Sequence, residues 1–306
     1  MDIYSLLLYF FIYGFLGWCT EVAYAGVKEA KFVNRGFLNG PICPIYGVGV
    51  CVVVLLLLPL KSHVILLYIT STILVTVLEG VTGFAMDKIF HNKWWDYSNQ
   101  PLNIGGYVCL IFSLAWGVGC VIIVKFVHPL IAVPVEHIPF IVGVILLVIF
   151  GGAMIADLYV TASAIFKMNK RIDAMDKIAK ELHELSDQLG EGIFNQVEEA
   201  KEKQEAAKEK YDETRERLAE AGAEFKERSQ ELKEKSLDFK ERAQDIDISD
   251  ELAKRIAGLK DSYQELSDKG SAVTRRLVRA FPKMESRKSN EQLNKIREAF
   301  AARMKK

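Results

Sequence analysis

The sequence predicts an all-α fold: a polytopic membrane protein with five transmembrane helices and a long, charged, coiled-coil-like helical tail. Three observations carry this. The 306 residues hold 39 basic and 39 acidic side chains, yet residues 1–166 hold only 7 Lys+Arg and 8 Asp+Glu, so the zero net charge averages an oily half with an ionic half. All four tryptophans, all five cysteines and seven of the eight prolines lie in the oily half, a distribution foreign to a single soluble domain. That half also contains five uncharged stretches, 3–20, 36–60, 62–78, 97–124 and 137–156, each near the ~17–25 residues a helix needs to cross hydrocarbon.

Allowing single charges a turn or two inside a helix end, the spans run near 3–26, 44–60, 62–86, 104–127 and 138–166, which together form the first domain, 1–166. The first stretch is retained rather than cleaved. Met1-Asp2-Ile3-Tyr4 lacks the basic start of a signal peptide, although Ala23-Tyr24-Ala25 has a small-x-small form. Helix two begins at Pro44, because the glycines and prolines of 34–43 forbid a regular helix; irregular backbone at that depth survives only when buried in protein or lining water. Lys28, Lys31 and Arg35 follow the first span, Lys88 and Lys93 the third, and Lys167, Lys170 and Arg171 the fifth. By the positive-inside rule the chain sits in the cell membrane with its N-terminus outside and its tail in the cytosol.

Residues 167–244 form one long charged helix. About 45 % of residues beyond 166 are charged, and acid-before-base pairs at i, i+4 (Glu199 with Lys203, Glu213 with Arg217, Glu224 with Arg228, Glu231 with Lys235, Asp238 with Arg242) support a solvated helix. Apolar positions at Ile193, Val197, Tyr211, Leu218, Phe225, Leu232 and Phe239 make a heptad-like seam that Gln204, Thr214, Arg228 and Lys235 interrupt. Short helices fill 245–306, a basic C-terminal region. Arg275, Arg276, Arg279, Lys283, Arg287 and Lys288 cluster around Phe281; a solvated face is the commonest reading of such charges, and contact with anionic lipid suits them better than a nucleic-acid arm.

Glu21, Glu79 and Asp157 are carboxyls within otherwise apolar helices, where an ionised acid costs several kcal/mol unless paired or protonated. At ~1.5 Å per residue Glu21 lies about 9 Å above the inner end of helix one, with Glu79 at similar depth and Asp157 near mid-membrane. Two readings stand side by side. In one, Arg35 pairs with Glu21 or Glu79 and merely fixes the packing. In the other, Glu21, Asn34, Arg35, Asn39, Glu79, Asp96 and Asn103 line a cytosol-facing polar cavity that binds substrate. Trp94-Trp95-Asp96-Tyr97 reads first as an interfacial aromatic belt. The five cysteines form no CxxC pair and the five histidines are scattered, so neither cofactor nor metal is expected. No GxxxxGK[ST] loop occurs, and no nucleophile signature makes the chain an enzyme.

Several blocks resemble one family. Phe15-Leu16-Gly17-Trp18-Cys19 with Glu21, then Phe32-Val33-Asn34-Arg35-Gly36-Phe37-Leu38-Asn39-Gly40-Pro41 and Cys43-Pro44-Ile45-Tyr46-Gly47, then Glu79 with Thr82-Gly83, then Trp94-Trp95-Asp96-Tyr97-Ser98 and Pro101-Leu102-Asn103, are similar to the ABC-transporter type IV permeases, the CmpB-like membrane proteins of bacteria. The resemblance covers roughly residues 5–130, and the tail lies outside it. It implies an integral membrane, permease-like subunit of a transport system. With no phosphate loop in the chain, ATP hydrolysis would fall to a separate ABC ATPase, and five short-looped helices leave so little lumen that a channel would need a homo-oligomer or other partners, with membrane lipids around it. Nucleic acid is not expected. The rival readings are a membrane-anchored scaffold that recruits cytosolic partners through the tail and, more weakly, a membrane enzyme acting on lipid head groups.

Overall fold

The computed structural model describes residues 1–219 and 250–303. Among these residues the structure is mostly helical, and five helices are long and apolar enough to cross a membrane. Contacts divide the chain into one unit of Met1–Ala174 with Ser267–Lys306 and a second of Met175–Leu266.

In the first unit α1 (Ile3–Glu29) starts at Asp2, whose carboxylate accepts from Ser5 N at 3.1 Å and Ser5 Oγ at 2.8 Å, and stops at Ala30 in the left-handed region. Residues 31–43 are irregular. α2 (Pro44–Leu57) opens on Pro44, which needs no N–H there, and Cys43 N donates to Gly14 O at 2.9 Å, tying the start of α2 to α1. A 3₁₀ turn at Leu58–Ser62 leads into α3 (Val64–Phe90). Its threonines sit comfortably in an apolar span because Thr70, Thr72 and Thr76 return their hydroxyls to carbonyls one turn back, at 2.7, 2.9 and 2.6 Å.

The fourth span begins only at Leu110. Residues Asn103–Ile104 (β2) and Val108–Cys109 (β3) instead form a small antiparallel hairpin that turns through Gly105 and Gly106, both at positive φ. α4 (Leu110–Ile122) presents buried Ser113, Gly117 and Cys120, and Gly117 lies against Thr72 of α3. A π-turn at Ile123–Val127 then carries the chain into α5 (His128–Glu136), with Pro129 as its second residue. Proline cannot join a regular ladder, and the His128 N–H reaches back to Ile123 O, five residues earlier. His128 is buried against Tyr13, its Nδ1 2.9 Å from the hydroxyl.

α6 (Phe140–Ala219) is unbroken, running through Gly190 and Gly192. Beyond Asp268, where α7 (Asp250–Asp268) ends, the chain returns to the first unit as α8 (Ala272–Ala280) and α9 (Asn290–Arg303), joined through β4 (Glu285–Ser286). Ser271 caps α8 by accepting from Thr274 N at 3.1 Å. β4 pairs antiparallel with β1 (Asn92–Lys93), Asn92 opposite Ser286 and Lys93 opposite Glu285.

In the second unit the pairs Asp176 with Lys180 and Glu199 with Lys203 brace the helix at 2.8 and 2.5 Å, and Arg255 of α7 meets Glu181 at 2.5 Å. The three pairs expected between 224 and 242 lie outside the described residues.

Candidate functional site

The polar side chains within the spans assemble from the glycine pattern upward. α1 and α2 approach closely because Gly17 faces Tyr46: a Cβ on Gly17 would collide with that side chain. Tyr46 is thereby directed to Glu21, donating its hydroxyl to Oε1 at 2.7 Å. Arg35 closes the other side, its Nε 3.3 Å from Glu21 Oε2 and its guanidinium 5.3 Å from the centre of the Tyr24 ring. Glu21 thus carries a cation and a hydroxyl donor, and both members of the ion pair are about one-quarter exposed.

Glu79 is held differently. Tyr97 donates to its Oε1 at a long 3.4 Å, and its Oε2 is buried without a hydrogen-bond partner. Tyr97 stacks on Phe112 of α4 at 4.9 Å, and Tyr46 meets Trp116 of the same helix edge-on at 5.7 Å, so aromatic rings wall the cluster. The Tyr97 hydroxyl is pushed above its usual range, first by burial and then by the negative charges of Glu79 and Glu21. Phe112 and Trp116 are one turn apart on α4, so Tyr97 with Glu79 and Tyr46 with Glu21 and Arg35 sit side by side along that helix as one polar cluster.

Asn34 and Asn39 belong to a second network that shapes the irregular segment. Asn34 Oδ1 accepts from Trp18 Nε1 at 2.9 Å and Gly36 N at 3.0 Å, while its Nδ2 donates to Asn39 O at 2.8 Å. Asp157 of α6 grips the segment from one side, accepting from Asn39 N, Asn39 Nδ2 and Gly40 N at 3.1, 2.7 and 2.7 Å. Arg276 of α8 grips it from another. Its guanidinium donates to Gly36 O at 2.7 Å, Phe37 O at 2.9 Å and Asn39 Oδ1 at 2.9 Å, with a longer contact to Asn34 O.

Asp96 and Asn103 brace the second connecting segment, 91–109. Asp96 accepts from Lys93 Nζ at 2.5 Å, Ser98 Oγ at 2.6 Å and Ser98 N at 3.0 Å. Burial works against the charged form, but these donors outweigh it and hold the carboxyl down at about 2. Asn103 donates to Gln100 O at 2.8 Å and Ser98 O at 3.2 Å and accepts from Gly106 N at 3.2 Å, so its side chain serves local backbone. Arg287 pins this segment to α3 through Asp87, at 2.5 Å from Nη2, and Asp87 accepts from Tyr107 at 2.5 Å.

Of the seven residues singled out from sequence, the structure brings Glu21, Arg35 and Glu79 into one cluster. Asn34 and Asn39 shape the backbone beside it, and Asp96 and Asn103 stabilise turns. Tyr46 and Tyr97 were missed as ligands of the two acids; their signal was the depth of a phenol hydroxyl beside a carboxyl. The basic C-terminal cluster also divides: Arg276, Arg287 and Lys288 engage Asn39, Asp87 and Asp173, whereas Arg275, Arg279 and Lys283 are exposed. Trp94, 4 % exposed, is no interfacial anchor. It packs on Phe37, Phe90 and Phe281, which places it inside protein.

No curated protein and no solved structure matches the chain. A family description does: residues 8–162 match the family "Putative ABC-transporter type IV". That stretch contains all but the first five residues of α1, α2 to α5, the first part of α6 and every member of the polar cluster. The chain is a multi-pass membrane protein, related to membrane transport, that belongs to the ABC-transporter type IV family.

Proposed function

We propose that this chain is a permease-like subunit of a transport system, with Glu21, Arg35, Glu79, Tyr46 and Tyr97 at the heart of a polar cavity open to the cytosol. One observation carries the reading: three successive spans, α1, α2 and α3, each turn a polar group toward the same place, at a desolvation cost that packing alone does not require. Basic residues concentrate at the ends joined by 30–43 and 91–109, and this supports placing the cavity mouth and the tail in the cytosol, with the N-terminus outside. Asn34, Asn39, Asp96 and Asn103 then serve the cavity by holding its two connecting segments. ATP hydrolysis is assigned to a separate ABC ATPase.

The test is purification of the tagged chain from its own host in mild detergent, followed by mass spectrometry. The reading expects a P-loop ATPase in fixed ratio, retained when 175–266 is removed, and a stable but inactive protein for Arg35→Ala. Soluble partners that vanish with 175–266, with no ATPase and with a fully active Arg35→Ala, would instead make the chain a scaffold. A reporter fused after Lys306 and found outside the cell would overturn the orientation.

A further inference from the structure

Two carboxyls share this cluster, and only one has its charge answered. Glu21 has the Arg35 guanidinium at 3.3 Å and the Tyr46 hydroxyl at 2.7 Å. For Glu79 the structure gives a single weak donor, Tyr97, on Oε1, and a buried Oε2 with no donor. Among the described residues the titratable group shown to face it is Tyr97 of 91–109; around that phenol stand Cys109 and Glu21 of α1, itself paired with Arg35 and Tyr46, and α4 carries no charged residue. With both acids ionised the cluster is one positive charge short. The wall around it is aromatic, and Glu79 lies within a span.

We propose that Glu79 is a proton-binding site: Oε2 takes up one proton from the end of the bundle that carries residues 91–109 and returns it there, while Tyr97 stays at Oε1. The inference rests on the reading of the cluster as the working part of the molecule. The exchange makes one O–H bond, changes no other covalent bond, and moves the cluster's charge from minus one to zero. A small metal ion could supply the same charge, but hard cations gather about six or more oxygen donors, and here the donors beside Glu79 reduce to one phenol. A proton needs a single lone pair.

The proton also has a route to an effect. A hydrogen bond to an ionised oxygen is roughly twice as strong as one to a neutral oxygen, so neutralising Glu79 weakens its hold on Tyr97. Tyr97 belongs to the segment that Tyr107 and Arg287 also tie to α3 through Asp87 and that β1 ties to β4. Proton uptake therefore loosens 91–109 where it meets α3.

Infrared difference spectroscopy of the full chain in lipid nanodiscs tests this without any turnover, so its outcome is independent of whether the transport reading survives. On stepping from alkaline to mildly acidic buffer, a protonated-carboxyl C=O band should appear, persist in Glu21→Gln and disappear in Glu79→Gln. A band of equal size in wild type and Glu79→Gln overturns the proposal. So does a signal that follows Na⁺ or K⁺ concentration at fixed pH. Should Glu79→Gln fail to fold, Glu79→Asp serves: the band should change frequency, and an unmoved band counts against Glu79. Tyr97→Phe removes a donor that favours the ionised form, so the band's midpoint should move to higher pH; an unmoved midpoint overturns the role of Tyr97.

Discussion

Gly17 shows how much one missing methyl decides. Its Cα faces the Tyr46 side chain so closely that Tyr46 can reach Glu21 only while residue 17 has no Cβ. Gly17→Ala should therefore destabilise the unit by about 1–3 kcal/mol through overpacking, seen as a lower melting temperature. Gly26→Ala, on the same helix with nothing within 4 Å, should leave melting unchanged or raise it slightly. Asp96 supplies a second prediction at this scale, with a definite sign. Its folded carboxyl is held at about 2, below the ordinary value of about 4. A depressed acid contributes stability that is present above its unfolded value and is lost as pH falls through the folded one. Wild type should therefore melt above Asp96→Asn at neutral pH, and the gap should close between about pH 4 and pH 2. A gap that stays constant across that window would remove the Lys93–Asp96–Ser98 cluster as its cause.

Segment 34–40 has no regular backbone pattern to satisfy its polar groups, so side chains do the work from α6 and α8. Arg276→Ala withdraws donors from Gly36 O, Phe37 O and Asn39 Oδ1 together; at about 1–3 kcal/mol, the loss should appear as faster amide hydrogen exchange across 34–40. Arg275→Ala, one position earlier and exposed, should leave that exchange as it is. What was legible from sequence divides along the same line. The spans follow from hydropathy, and the start of α2 from Pro44, because length and proline geometry are local properties. That Arg35 could answer one of the two acids was legible, since a carboxyl in lipid demands a partner and few cations are near, but the choice of Glu21 over Glu79 was not. Arg276 was not. Its partners are backbone carbonyls and one asparagine side chain more than two hundred residues away in sequence, and six basic residues around Phe281 carry the same pattern whether they face lipid or protein. Asp157 was placed by depth alone, which gave no hint that it accepts from Asn39 and Gly40.

The whole chain folds back on its own membrane half: Ser267–Lys306 belongs with Met1–Ala174, although ninety-two residues separate them. Four independent ties make this more than proximity. β4 pairs with β1, Arg287 binds Asp87, Lys288 stands 3.6 Å from Asp173, and Phe281 meets Trp94 edge-on at 5.0 Å. Within the returning segment Leu277, Met284, Leu293 and Ile296 are fully buried, so it has an apolar interior to lose if it is displaced. The family match ends at residue 162, before this segment begins, yet Arg276 and Arg287 hold both connecting segments of the matched region. Removing residues 267–306 should therefore injure the membrane half itself. Trp94 and the carbonyls of 36 and 37 would lose their cover, and melting should fall by several degrees. Replacing 175–266 with a flexible Gly/Ser linker should be far milder, because the four ties above all join residues outside that stretch. Differential scanning calorimetry of the two variants beside the full chain separates the cases. Equal losses would mean that 267–306 needs the intervening helices to stay in place, whereas a large loss only on deleting 267–306 makes it a structural part of the membrane domain that happens to arrive last in sequence.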